Sequence, residues 1–230
     1  MSLYTIADLH LTSDPAGRMD KYVGWEFYIE KITENWNNLI TNEDTVVIPG
    51  DIAWAVNVTD DLSSFHLLNN LPGRKVLIKG NHDLWWKKSG QMHKMFAEFP
   101  SLSLNFLRNN SFSYENFAIC GCTGVDLTLN NQNEKINSRN VIRLKRSIES
   151  ADRSAKPIVF MHFPPIIYEN GSLLVAEEII NILTDNNVSD CYYGHLHGDD
   201  IKYSYNDEYN GVKFHLISAD FVQFKPVLVV

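Results

Sequence analysis

The sequence predicts an α/β domain layered around a mixed β-sheet, and three observations carry that prediction. Short runs of β-forming residues recur along the chain, and each stops abruptly at polar residues. Segments with helical apolar period lie between those runs. After residue 198 the helical period gives way to strand-like runs alone, so the sheet is expected to be mixed rather than purely parallel.

The elements follow in chain order. "LYTIA" before Asp8 reads as the first buried strand, and residues 20 to 40 then place Trp25, Ile29, Ile32, Trp36 and Leu39 on one helical face. "TVVIP" before Gly50 and "KVLIK" before Gly80 are the next strands, separated by a weaker helical stripe through Leu62, Phe65 and Leu68. Further stripes run through Met92, Met95 and Phe99, and through Ile136, Leu144 and Ile148. "PIVFM" before His162 and "CYY" before Gly194 close the series of strands, with a helical stretch from Leu173 to Leu183 between them. In the tail, "IKYSY", a turn at "NDEYNG", "VKFHLIS" and "VQFKPVLVV" read as strands joined by a hairpin. His215 in that tail reads as a packed or solvated residue.

No Pro/Ser/Gly-rich linker or charge block divides the 230 residues, so residues 1–230 are expected to form a single domain. Hydrophobic residues make up 44% and charged residues 21%, enough apolar surface for a sizeable core. The net charge of −8 comes without a basic stripe, which argues against extended nucleic acid and anionic membrane surfaces as partners. A nucleotide-sized substrate is compatible with it. Oligomeric state is not legible in these features. Three cysteines, an odd number without disulfide spacing, suit a reducing compartment. "LYTIADLHL" lacks the basic opening of a secretory signal, and no run approaches the roughly 20 apolar residues of a membrane span, so the expected location is cytoplasmic.

The residues that follow the five strand candidates are "DLH", "GDIAW", "GNHD", "HFPP" and "GHLH", and each block carries a candidate metal ligand. Ligands of α/β sheets gather outside the carboxyl ends of strands, so blocks scattered in sequence are expected to converge there. Five of the eight histidines fall in these blocks. In extended chain, residues two apart point the same way, which lets Asp8 with His10, and His195 with His197, face one site. Carboxylate, imidazole and amide donors suit Mn, Fe or Zn better than an all-oxygen calcium cage or a thiolate site. The inventory exceeds what one tetrahedral ion takes.

The ordered blocks "DLH…GDIAW…GNHD…H…GHLH", spanning residues 8 to 197, resemble the signature of the calcineurin-like metallophosphoesterases. That resemblance implies an α/β/β/α sandwich with mixed β-sheets and a site for two divalent metal ions at the carboxyl ends of the strands. Carried over residue by residue, it implies a first metal on Asp8, His10, Asp51 and His197. A second would sit on Asp51, Asn81, His162 and His195, with Asp51 shared. The implied activity is metal-dependent hydrolysis of phosphate mono- or diesters of small molecules, nucleotides among them, by attack of a metal-bridging hydroxide. It also implies that His82, beside ligand Asn81 but not itself a ligand, stabilises phosphoryl charge or protonates the leaving oxygen. Asp83 is then expected to orient His82, or to cap a helix beginning near Leu84.

Some small relatives in that family carry an Arg and a Trp in the stretch matching "CGCTGVD", where this chain has Thr123 and Val125. Arg139 and Arg143, one helical turn apart, are the alternative guanidinium source, although surface solvation is the ordinary role of such residues. Trp54, Trp85 and Trp86 follow two of the blocks and read either as an aromatic wall or as packing. Cys120 and Cys122 without a second thiol pair do not make a zinc motif. A reading from another class, a non-catalytic interaction scaffold on the same fold, is disfavoured because every metal position and His82 are present.

Overall fold

The computed structural model describes residues 1–128 and 134–230, without the side chains of Ser89 and His93. Its first half is a series of parallel strands and helices: β1 (Leu3–Thr5), α1 (Tyr28–Leu39), β2 (Thr45–Pro49), α2 (Leu62–Asn70), β3 (Arg74–Ile78), α3 (Ser89–Ala97) and β4 (Leu104–Phe106). The second half contains β5 (Phe112–Tyr114), β6 (Phe117–Cys122), α4 (Glu134–Glu149) and β7 (Lys156–Met161). It continues with β8 (Ile166–Glu169), β9 (Ser172–Val175), α5 (Glu177–Asp185), β10 (Asp190–Tyr193), β11 (Glu208–Tyr209), β12 (Val212–Leu216) and β13 (Val227–Leu228).

The strands form two principal sheets, ordered β13-β1-β2-β3-β4 and β11-β12-β10-β7-β6-β5, with β8 and β9 as a separate hairpin. In the first sheet β1 to β4 are parallel and β13 returns antiparallel to β1. In the second, β6, β7, β10 and β12 are parallel, while β5 and β11 pair antiparallel at the edges. The sheets are therefore mixed, as expected.

Side-chain alternation places the layers. In β2, Val46 and Ile48 join Ile32, Trp36 and Phe65 under the helices of the first half, while Val47 faces the other way. Val47 meets Ile158 and Phe160 of β7 in a core between the two sheets, and Val159 and Met161 of β7 face Leu144 and Ile180 of α4 and α5. Three apolar cores thus separate four layers, helix, sheet, sheet and helix.

Several element boundaries differ from expectation. α1 starts at Tyr28, after Phe27 takes a left-handed conformation, so Trp25 lies before the helix and Leu39 at its end is 42% exposed. Ile136 is likewise an exposed residue of α4. The stretch from Leu173 is strand until Val175, because Asn170 and Gly171 form a turn with positive φ between β8 and β9. "IKYSY" begins inside a 3-10 helix, Gly198–Tyr203, and the tail hairpin is β11–β12 instead, turning at Asn210 and Gly211. β13 leaves the second sheet and pairs with the first. His215 stacks on Tyr192 and meets Asp190 at 2.9 Å.

Candidate metal centre

The five strands marked by the motif blocks all end at one edge of the sandwich. Asp8 and His10 follow β1, Asp51 follows β2, Asn81 follows β3, His162 follows β7, and His195 and His197 follow β10. The connecting loops stay hydrogen-bonded to one another beyond the strands. Asp8 N donates to Gly50 O at 3.1 Å, His10 N to Asp51 O at 2.9 Å, and Gly194 N to His162 O at 3.1 Å. Donor atoms of Asp8, Asp51 and His162 lie within 4.8 Å of one another. Asp51 Oδ2 stands 3.9 Å from His10 Nε2 and 3.6 Å from His162 Nε2, and His162 Nε2 is 2.5 Å from Asn81 Oδ1. His197 meets the His10 ring edge-on at 5.3 Å, and His195 meets the His162 ring at 5.0 Å. All seven expected ligand residues thus share one crevice.

Asp8, His10, Asp51 and His162 are at most 1% exposed, and this burial shapes their charge. It pushes the Asp8 carboxyl well above the ordinary range, and neighbouring Asp51 adds to that rise. Burial drives His10 and His195 down to about 3 and lowers His162 as well, so these imidazoles are neutral near pH 7. A neutral imidazole is the form that binds metal. His162 Nδ1 faces Pro49 O at 3.2 Å; a proton on Nδ1 satisfies that carbonyl and leaves the Nε2 lone pair facing Asp51 and Asn81.

Three buried atoms in this group, Asp8 Oδ1, His10 Nε2 and Asp51 Oδ2, have no hydrogen-bond partner among the described residues. Orphaned acceptors are rare in a folded interior. Here they converge, and a cation would satisfy them together. The residues present therefore fit divalent metal, with oxygen and nitrogen donors of the kind that Mn, Fe or Zn takes.

The backbone is strained to reach this arrangement. Asp8, His10, Asp51 and His195 have φ of 60°, 45°, 50° and 73°, a region sparsely used by side-chain-bearing residues. Two glycines make room: a Cβ on Gly80 would collide with the Asp51 backbone and carboxylate, and one on Gly194 would stand 2.6 Å from Asp8 Oδ2. His82 N donates to Asp51 Oδ1 at 2.8 Å and His195 N to Asp8 Oδ2 at 2.9 Å, which leaves the other oxygen of each carboxylate facing the crevice.

This constellation can be set beside known proteins. Residues 1–199 match the family described as calcineurin-like phosphoesterase. The chain belongs to that family. Among curated proteins it is similar to the Gene 66 protein of Mycobacterium phage D29, 30% identical over 102 residues. That match covers 44% of this chain and spans 47% of the phage protein. The fold is similar to that of phosphopantetheinyl hydrolase from Mycobacterium tuberculosis, with a TM-score of 0.62 at 15% identity over 100% of this chain and 95% of the other. A Plasmodium protein described as the anchor in the inner membrane complex shares it with a TM-score of 0.54 at 16% identity, over 96% and 72% of the two chains.

Around the metallophosphoesterase crevice, the remaining candidates separate. The half-buried ring of His82 lies 5.7 Å from His10 and 4.4 Å from Trp54, centroid to centroid. Asp83 is fully buried and does not pair with that ring: its carboxylate accepts from Ile52 N at 2.9 Å, Gly80 N at 2.7 Å and Trp85 Nε1 at 3.0 Å. Nor does it cap a helix, since α3 starts later and its N-cap is Lys88. Asp83 ties the Asp51 loop to the Asn81 loop, with burial and Asp51 pushing it up to about 7 against those donors. Trp54 stacks on His10 at 4.9 Å, whereas Trp85 is a core residue against Phe65. Trp25, read from the sequence as a helix-face residue, packs on His10 and His197 instead. With Met19, Val23 and Trp54 it lines a cavity of about 410 Å³ against His10, His82 and His197.

Arg139 is exposed and Arg143 half-buried beside Thr123 in a second cavity, while Val125 packs toward the core under α4. Cys120, Cys122 and Cys191 are free and buried, and burial pushes the first two thiols up to about 12. No helix among the described residues is long and apolar enough to cross a membrane.

Proposed function

We propose that this metallophosphoesterase hydrolyses phosphate esters with two divalent ions, one on Asp8, His10, Asp51 and His197 and the other on Asp51, Asn81, His162 and His195. The observation that carries the proposal is the convergence of Asp8 Oδ1, His10 Nε2 and Asp51 Oδ2, buried and unpartnered, beside a half-buried histidine. Asp51 Oδ2 stands between His10 and His162, one from each set, which supports its role as the shared ligand. When bound, the ions bring water into its nucleophilic hydroxide form near neutral pH and draw charge from the phosphoryl oxygens.

The chain does the rest. Asp83 and the inter-loop hydrogen bonds fix the ligand loops before substrate arrives. His82 presents its imidazole from the loop that carries Asn81, placed to hold phosphoryl charge or hand a proton to the leaving oxygen. Trp54 and Trp25 pack on His10 and His197 and wall the cavity on that side, where an apolar part of a substrate can lie. Small-molecule phosphate esters are the substrate class, nucleotides included.

Elemental analysis of metal-replete protein, paired with Mn²⁺-supplemented hydrolysis of aryl phosphate mono- and diesters, tests the reading. Two equivalents per chain are expected, and Asp51→Asn should deplete both. One equivalent in the wild type would overturn the shared-ligand assignment, and no hydrolysis of either ester by the two-metal protein would remove the activity.

A further inference from the structure

A second cavity, of about 310 Å³, opens at the carboxyl ends of β3 and β6. Its wall reaches the loops that carry Asn81 and His162. Lys79 in its wall is two residues before Asn81, and Thr123 O accepts from the N–H of Phe163, the residue after His162. Its charged lining is Lys79, Lys87, Lys88, Arg108 and Arg143, with no acidic residue. Acidic residues outnumber Lys and Arg by 28 to 20 in this chain, so a wall holding five of those twenty cations is not a consequence of composition.

Buried Asp83 and Asp51 act on Lys79 beyond ion-pair distance. Among the described residues none of the five forms an ion pair with a carboxylate. They are held by neutral oxygens instead: Arg108 Nη1 donates to Lys87 O at 2.6 Å, and Arg143 Nη1 to Asn140 Oδ1 at 2.6 Å. Asn140, 2% exposed, is fixed in turn through its Nδ2 on Gly124 O at 2.7 Å. Each guanidinium thus spends one donor on positioning and keeps others for a ligand. Burial lowers Arg108, and the charge of Arg143 beside it lowers it further, a repulsion that a bound anion would relieve.

We infer that this cavity binds a second phosphate group of the substrate, so that the preferred substrates carry two phosphates, one at the metal centre and one among Arg108, Arg143 and Lys79. Planar guanidiniums match phosphate oxygens through paired hydrogen bonds, and lysines add point charge. The inference rests on the phosphoesterase reading for its first phosphate and on the cavity alone for its second.

Short α,ω-alkanediol bisphosphates of graded length, each compared with the alkyl monophosphate of the same length, measure the preference. At least one bisphosphate should show kcat/KM roughly tenfold or more above its monophosphate, the size of one charge-assisted contact. Arg108→Gln and Arg143→Gln, made separately and checked for folding by circular dichroism, should each lower kcat/KM for the bisphosphate more than for the monophosphate. Arg153→Gln removes one exposed cation before the amino end of β7, away from the cavity, and should keep the preference. No preferred bisphosphate, a preference untouched by both variants, or an equal loss with Arg153→Gln would each overturn the proposal. If the holoprotein hydrolyses nothing, calorimetric titration with the same pairs still reads the cavity. Tighter bisphosphate binding that the two variants abolish then supports the cavity while the catalytic reading falls, and equal binding of both partners overturns the cavity as well.

Discussion

At the scale of single residues, the motif blocks supply the proposed ligand residues and burial sets their charge. Under the proposed function His82 separates catalysis from mere metal binding, because that reading gives it a role without making it a ligand. His82→Ala should keep both metals and lower kcat by about 10²- to 10⁴-fold, most for esters with a basic leaving alkoxide and least for activated aryl esters. Wild-type turnover of an alkyl phosphate by the metal-loaded variant would exclude it as the acid. A second expectation concerns protons. In metal-free protein burial and neighbouring Asp51 raise Asp8 well above the ordinary carboxyl range, while His10 and His195, near 3, hold no proton at neutrality. Metal displaces the Asp8 proton, so affinity should rise with pH until Asp8 ionises, and then level off. Calorimetry in buffers of different ionisation enthalpy counts the protons released; release of several with a midpoint near 6.5, the ordinary histidine value, would show that the imidazoles are charged before metal binds. The convergence of the proposed ligand residues was legible because each block follows a strand. The partners of Asp83 were not, since its acceptors' donors, Ile52 N and Trp85 Nε1, are brought together by folding. Trp25 was missed for the same reason: its apolar spacing fits a helix face, and only the left-handed turn at Phe27 separates it from α1.

At the scale of elements, the strands that deliver the proposed ligand residues were the most legible parts of the chain. β2 coincides with its apolar run, and β3, β7 and β10 lie within a residue of theirs, because a parallel strand buried on both faces must be apolar throughout. β8 and β9 escaped because Leu173 and Leu174 continue a spacing that also suits a helix, and the Asn170-Gly171 turn decides between the two. The loops after the strands are held by contact as much as by hydrogen bonds, which makes glycine the sensitive residue there. Gly80→Ala forces a methyl group into Asp51 and should cost about 1–3 kcal/mol as overpacking, with metal affinity falling because Asp51 must move. Gly90, in α3, has nothing among the described residues within 4 Å of a Cβ, and Gly90→Ala should stabilise by about 0.5–1 kcal/mol through helix propensity. Denaturation midpoints and metal content of the two variants check the contrast; equal effects at the two positions would mean that the crevice adapts to the added methyl.

At the scale of the whole molecule, the four-layer arrangement assigns stability and chemistry to different places. Three apolar cores, one under each helical layer and one between the sheets, hold the sandwich together, and the proposed ligand residues lie at one edge of them, past the strand ends. Alternation along β2 and β7 explains why a chain of this composition needs both sheets: each strand is apolar on two faces, so each sheet must be covered twice. Removing the metals leaves two buried carboxylates near each other, and burial together with Asp51 raises Asp8 toward its neutral form. The fold should therefore survive chelation. Ions bound at a hundredfold excess over Kd add about 2.7 kcal/mol each, and 1 kcal/mol moves Tm by roughly 2–4 °C at this size, so two ions should raise Tm on the order of 10–20 °C. Chelated protein should thus melt lower but still cooperatively, keep its far-ultraviolet circular dichroism at room temperature, lose hydrolysis, and regain it with Mn²⁺. Unfolding at room temperature on chelation would show that the metals hold the edge loops and the sheets together as one unit, and hydrolysis that persists without metal would place the chemistry on residues other than these seven.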